Sequence, residues 1–297
     1  MGSSRIVKIG SRESSLAVRQ AEIVMDAIKK SNPDLDLKLV TFKTQGDRIL
    51  DRTLDKIGGK GLFTKELEQA LLEREIDIAV HSYKDMPCEK TEETEALPVV
   101  ALSERESPFD ALVLPLKPGD GTLPVGSSSL RRSIQYKMLC PNIETAPIRG
   151  NVPTRLDKLD RGEYSAIILA QAGLVRLNLQ HRISKIFSVD EMIPSASQGI
   201  LAIQGQKDGD YSYLADFHSK KSEYASKAER NFLRTIGGGC NSPVAAYAEI
   251  HGNEMRLTGM YVDESNRIEK GRIDGTLGEA ENMGEALALK LKNKAAN

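Results

Sequence analysis

Six arginines stand beside glycines and hydroxyls where the chain turns from apolar strand to helix. Arg12 lies in KIGSRESSLA, Arg131 and Arg132 follow GSSS, Arg149 and Arg155 flank GNVPT, and Arg176 follows the apolar run 167–170. A guanidinium presents a planar fork that matches a carboxylate or phosphate. A helix start adds free N–H groups and the positive end of a dipole, and Ser14, Ser128 and Ser129 add hydroxyl donors. Taken singly, each arginine is equally a solvated surface residue; six in matched turns point to a ligand with several negative charges. The formal net charge is −1, so no generally basic surface accounts for the cluster. That balance, with only 5% aromatic residues, disfavours a nucleic-acid binder.

A carboxylate interrupts the cationic pattern. HSYKDMP places His81, Ser82, Lys84 and Asp85 at the end of an apolar run. Asp85 would repel an anionic ligand, yet it suits a reacting centre that turns cationic, or an N–H that needs an acceptor and a proton donor. The plainer alternative is a turn closed by Pro87 with both charges solvated. GGKGLFTK, with Lys60 and Phe63, lacks the spacing of a nucleotide phosphate loop. Lys60 there is either a ligand contact or a solvated side chain.

Cys240 follows Gly237, Gly238 and Gly239 in RTIGGGCNSP. The four histidines give no spacing that identifies a protease-type partner for it, and no neighbour completes a metal site. Two readings stay open. Cys240 is a covalent tether, exposed on a loop whose glycines allow close backbone approach, or it is a buried cysteine behind a helix C-cap. Cys88 and Cys140 lie far from it and from each other, which predicts a reducing compartment with neither disulfides nor structural zinc.

These residues need elements to position them. Strands are expected at 6–9, 37–43, 76–80, 167–170 and 200–204. A polar turn is expected over 10–15, a helix from there to about Lys30, and a helix capped by Thr64 with Leu67, Ala70 and Leu71 on one face. Alternating strands and helices imply a mostly parallel α/β sheet. The plan then repeats. PVGSSSLRRSIQYKML echoes KIGSRESSLAVRQAEIVM, and RGEYSAIILAQAGLVRL echoes EREIDIAVHSYKDMP, so two similar α/β lobes are expected. The boundaries read as 1–99 with 200–217 for the first lobe, 104–194 for the second, and 222–297 for a small α-βββ-α domain that carries Cys240. That last domain has a hairpin turn at Gly252–Asn253 and a closing helix with Met283, Leu287 and Leu291 on one stripe. No run approaches the roughly 20 apolar residues of a membrane span. The start of the chain leaves no room for a signal or transit peptide, so a cytoplasmic protein is expected.

In this order GSRESSLA, TQGD, GGKGLFTKELE, HSYKDMP, VGSSSLRR, IRGNVPTRL, SAIILAQAGLVRL, IPSASQG and ERNFLRTIGGGCNSPVA resemble the porphobilinogen deaminase (hydroxymethylbilane synthase) family along essentially the whole chain. Ser242 departs from the β-branched residue expected before Pro243. The resemblance implies two lobes like those of type II periplasmic binding proteins, an active cleft between them, and a third domain. It implies a dipyrromethane cofactor joined to Cys240 through a thioether, to which four porphobilinogen units are added with loss of ammonia. Hydrolysis frees hydroxymethylbilane, which passes to a uroporphyrinogen-forming enzyme. A monomer with no metal, membrane or nucleic-acid partner is implied. Arg12, Ser14, Lys84, Ser128, Ser129, Arg131, Arg132, Arg149, Arg155 and Arg176 would hold the acetate and propionate groups, and Asp85 would serve the pyrrole N–H groups and the developing positive charge. Lys60 and Phe63 on a flap, and Gln198 in IPSASQG, would play secondary parts. The runner-up is a non-catalytic two-lobed binder of polycarboxylates, which needs no adduct on Cys240.

Overall fold

Two five-stranded mixed sheets share one strand order. The computed structural model describes residues 6–48, 64–89, 91–117, 121–237 and 243–296. In the first sheet the order is β2 (Asp36–Phe42), β1 (Ile6–Arg12), β3 (Ile78–Ser82), β10 (Leu201–Gly205) and β4 (Val99–Leu102). β1 pairs in parallel with β2 and β3, while β10 runs antiparallel to β3 and β4. In the second sheet β7 (Thr145–Ala146), β6 (Val125–Gly126), β8 (Ala166–Ala170), β5 (Asp110–Val113) and β9 (Lys185–Ile186) repeat the pattern, with β5 antiparallel to β8 and β9. The echoed motifs thus occupy equivalent strands, β1 with β6 and β3 with β8. Each antiparallel strand is delivered from the other sheet, by crossings over 103–109 and 187–200.

Helices α1 (Ser15–Ser31), α2 (Gln45–Arg48), α3 (Lys65–Leu72) and α4 (Glu92–Ala96) accompany the first sheet, and α5 (Leu130–Leu139), α6 (Val152–Asp160) and α7 (Gln171–Arg176) the second. The helical stripe Ala17, Ala21, Val24 and Ile28 is buried, and Ala21, Val24 and Ile28 pack with Val7, Ile9 and Ile78 of the sheet. In the second lobe Leu156 and Leu159 pack with Ile148, Ile167 and Leu174.

Two local expectations are corrected. The turn expected from Gly10 is strand, because β1 continues to Arg12 in register with β2 through Gly10↔Val40, Ser11↔Thr41 and Arg12↔Phe42. Gly10 serves packing there: a Cβ would stand 2.3 Å from Ile76 Cδ1. Thr64 occupies the N-cap position of α3 but makes no side-chain cap bond, since its backbone is already helical at φ −119° and ψ −27°.

The third unit packs α8 (Lys220–Ile236) and α9 (Ala280–Ala296) on the antiparallel sheet β11 (Ala245–His251), β12 (Glu254–Val262) and β13 (Ile268–Thr276). Phe232, Leu257, Met283, Leu287 and Leu291 share its core. α8 ends in a left-handed cap at Gly237, φ 79°, a conformation that glycine adopts at little cost. A buried carboxylate ties this unit to both crossings. Glu229 on α8 is fully buried and accepts from Arg105 Nη1 (2.6 Å), Ser197 N (2.6 Å) and Ala248 N (2.7 Å). Among the described residues no helix is long and apolar enough to cross a membrane, and no His, Cys, Asp or Glu cluster is arranged to hold a metal ion.

Candidate active site

The first-lobe residues reach the cleft from strand ends. Arg12 closes β1 and Ser82 closes β3; Lys84 and Asp85 follow in a single 3₁₀ turn, Tyr83–Asp85. Ser14 caps α1, accepting from Ala17 N at 3.4 Å. On the second lobe Arg132 lies in the first turn of α5, Arg149 precedes α6, Arg155 lies in its first turns, and Arg176 ends α7. Asn151 caps α6 and accepts from Thr154 N at 2.9 Å. These groups enclose a cavity of about 630 Å³ between the lobes. Its wall carries Arg12, Lys84, Arg132, Arg149, Arg155 and Arg176 against the two carboxylates Glu13 and Asp85, and it includes the N-terminal ends of α1 and α6. Free N–H groups and helix dipoles therefore reinforce the guanidinium charge.

The polar floor is organised by two residues, one of them unforeseen. Asp110, the first residue of β5, is fully buried and receives Arg131 Nη1 at 2.7 Å and Arg132 Nε at 2.8 Å. Burial pushes its carboxyl up, but the two guanidiniums outweigh that and hold it far below the usual carboxylate range. Gln198, 1% exposed, donates to Pro108 O at 2.6 Å and Asp110 Oδ1 at 3.0 Å, and its Oε1 accepts from Lys84 Nζ at 3.1 Å. One side chain on a crossing segment thus joins Lys84 of the first lobe to Asp110 of the second. The available hint of Asp110 in the sequence was a carboxylate opening the apolar run DALVL, which demands a cation once buried.

Arg131 is not among the residues that line the cavity. It is 4% exposed, and its Nη1 is shared between Asp110 and Ile193 O (2.7 Å). A fully buried carboxylate draws the nearest guanidiniums, and Nη1 of Arg131 is engaged by it. Ser128 also stands off the wall, its hydroxyl donating to Ile148 O at 2.5 Å, as does Ser129, which occupies the N-cap of α5 without a side-chain cap bond. Arg12, Ser14, Lys84, Asp85, Arg132, Arg149, Arg155, Arg176 and Gln198 are brought together. Lys60, Phe63 and Cys240 lie outside the described residues.

The charges in the cavity are strongly tuned. Burial, helped by the charge of Arg132 and opposed by Asp85, lowers Lys84 to about 8. Arg155 falls to about 10 through burial and the neighbouring Arg132 and Arg149, and Arg176 to about 10 through burial opposed by Glu106. Part of the donor set is already used, Arg155 Nε on Gly150 O (2.8 Å) and Arg176 Nη2 on Gly199 O (2.6 Å). Both guanidiniums are thereby aimed, and among the described residues the remaining N–H groups of each make no further hydrogen bond.

His81 is 5% exposed on β3, and burial lowers it to about 4 from an ordinary 6.5, so it folds neutral. The unfolded chain binds its proton below pH 6.5 while the folded chain does not until about pH 4. Stability is therefore present above pH 6.5 and lost as pH falls toward 4, by up to about 3 kcal/mol. Urea midpoints measured at pH 7 and pH 4.5 should show a drop that shrinks in His81→Gln. An equal drop in both proteins would remove His81 as its source.

A two-lobed α/β protein whose interlobe cleft gathers guanidiniums, helix starts and the two exposed carboxylates Glu13 and Asp85 has a cleft suited to a ligand bearing carboxylates. Comparison with known sequences gives that class a family. Residues 7–213 match the family profile described as porphobilinogen deaminase, dipyromethane cofactor binding domain, and residues 224–293 match that of the porphobilinogen deaminase C-terminal domain. The chain is 55% identical to the porphobilinogen deaminase of Alkaliphilus oremlandii over 290 residues, 97% of each chain. It is 54% identical to that of Acetivibrio thermocellus over 287 residues, 96% of this chain and 97% of the relative. Among solved structures, the probable amino-acid ABC transporter extracellular-binding protein ytmK from Bacillus subtilis is similar with a TM-score of 0.42 and 13% identity, covering 74% of this chain and 91% of that one. The chain belongs to the porphobilinogen deaminase family, transferases of tetrapyrrole biosynthesis.

Proposed function

We propose that the cleft condenses four porphobilinogen molecules head to tail into hydroxymethylbilane, releasing one ammonia per unit, on a dipyrromethane primer joined by a thioether to Cys240. The observation that carries this reading is the cavity itself, six cationic side chains and two helix starts around the exposed carboxylates Glu13 and Asp85. A dipyrromethane bears several carboxylates and two pyrrole N–H groups, and the wall offers cations for the former and Asp85 for the latter. When bound, the cofactor supplies the nucleophilic pyrrole carbon for the first coupling. Arg12, Arg132, Arg149, Arg155 and Arg176 hold acetate and propionate groups. Lys84, held by Gln198, sets the potential beside Asp85. The carbon–nitrogen bond of the aminomethyl group breaks as ammonia leaves, and the electron-poor substrate that results is stabilised by the Asp85 carboxylate accepting its N–H. A carbon–carbon bond then forms, and the displaced ring proton leaves.

We read the chain as three domains, 1–99 with 200–217, 104–194 and 222–297, a division supported by its three separate sheets. The free thiols of Cys88 and Cys140 agree with a cytoplasmic setting. A monomer whose product passes to a uroporphyrinogen-forming enzyme completes the reading.

The test is turnover of porphobilinogen by the purified chain, with ammonia and linear tetrapyrrole appearing four to one. Arg176→Gln should raise KM by roughly ten- to a hundredfold, the loss of one charge-assisted carboxylate contact, with a smaller change in kcat. Porphobilinogen binding without ammonia release would favour the non-catalytic binder. An unchanged KM would remove Arg176 from the carboxylate set.

A further inference from the structure

The turn that carries Lys84 and Asp85 is held from behind by an arginine of the third unit. Arg230 on α8 donates through Nη1 to the carbonyls of Tyr83 (3.2 Å) and Met86 (3.4 Å), and through Nη2 to that of Pro87. Its guanidinium also lies 4.2 Å from the centroid of the Tyr83 ring. The three carbonyls bracket Asp85 on both sides. Among the described residues no carboxylate lies within the 4.0 Å that would make an ion pair with this guanidinium, so its hydrogen bonds are spent on one turn.

The turn is tied to the first sheet at its start, where Tyr83 N donates to Ile200 O at 3.0 Å, and by Met86, buried against Leu102, Ile200 and Ala202. Its one internal backbone bond runs from Met86 N to Tyr83 O at 3.2 Å, and Pro87 has no N–H to contribute. One helical turn further along α8, Arg234 Nε donates to Cys88 O at 3.2 Å, so the same helix face also holds the outgoing chain. The arrangement suits a guanidinium, whose plane stacks on a ring while its rigid fork reaches several carbonyls at once; an ammonium has no plane to stack and no fixed fork.

We infer that Arg230 is a positioning residue for the reaction, fixing the direction of the Asp85 carboxylate by pinning the backbone on either side of it. This rests on the reading of Asp85 given above. A misplacement of about 1 Å at a reacting group costs on the order of a hundredfold in rate, while binding by groups elsewhere is untouched. Arg230→Gln and Arg230→Lys should therefore lower kcat, counted per cofactor-loaded molecule from intact mass, by about tenfold or more, with KM within about threefold of the parent.

A double-mutant cycle separates positioning from plain structure. In an Asp85→Glu background, where the carboxylate is already displaced by one methylene, Arg230→Gln should cost far less than it does alone, because both changes act on the same carboxylate. Losses that multiply in the double variant, or a wild-type kcat per loaded molecule in Arg230→Gln, overturn the inference. If neither Arg230 variant yields loaded protein, Tyr83→Leu, which removes the ring beneath the guanidinium, carries the same cycle, and an unchanged kcat there overturns it equally. Normal turnover in Asp85→Asn removes the role of Asp85 itself. An essential Asp85 together with a wild-type kcat in Arg230→Gln removes only the positioning role.

Discussion

Asp85→Asn is expected to keep its cofactor and bind substrate but to lose at least about a hundredfold in kcat, the span of general acid–base and electrostatic contributions. Asp85 is exposed on the cavity wall, so the substitution buries nothing and leaves no cavity, and stability should move by no more than about 0.5 kcal/mol. Its charge bears on Lys84, Arg132 and Arg155. Removing a negative charge from an anion site favours binding of carboxylates if it changes binding at all, so KM should hold or fall. The loss then belongs to the step in which positive charge develops, where asparagine offers neither the charge nor a transferable proton. Ammonia release under saturating porphobilinogen, with intact mass to confirm loading, measures it. A kcat within about threefold of the parent would take Asp85 out of the chemistry.

Cys240→Ala should abolish both a covalent adduct of dipyrrole size and turnover, while Cys88→Ala retains both. The expected contrast follows from what a tether does. A growing chain bound only through its carboxylates can leave between couplings. One held by a carbon–sulfur bond stays at millimolar or higher effective concentration beside the cationic wall. Cys88 packs partly buried against the core of the third unit, so its loss costs packing and leaves the cleft intact. Intact mass before and after each substitution gives the result directly. An unmodified Cys240→Ala protein that still produced tetrapyrrole would end the tether assignment.

Much of this site was legible because its signals are local. The 3.6-residue stripe Ala17, Ala21, Val24, Ile28 and the echoed strand–turn–helix motifs announce a helix and two like lobes within a dozen residues each. Arg12, Lys84, Asp85, Arg149, Arg155 and Arg176 follow, since strand ends and helix starts of an open α/β sheet converge on one crevice whatever the details of packing. Where β1 ends was not legible, because pairing with β2 and the space needed by Ile76 decided that Gly10 is strand and not turn.

The amino-acid sequence alone therefore determined the two-lobed α/β plan, the small α-βββ-α unit and the set of cationic side chains at the crevice, all of which depend on residue type and short-range period. Only the tertiary structure decided how the charges are divided. Arg131 and Arg132 meet Asp110 from 21 and 22 residues away, Gln198 reaches Asp110 across 88 and Lys84 across 114, and Arg230 reaches Tyr83 across 147. No local pattern can tell which of several arginines a buried carboxylate will claim, because that depends on which guanidinium the folded chain brings within hydrogen-bond reach once water is excluded.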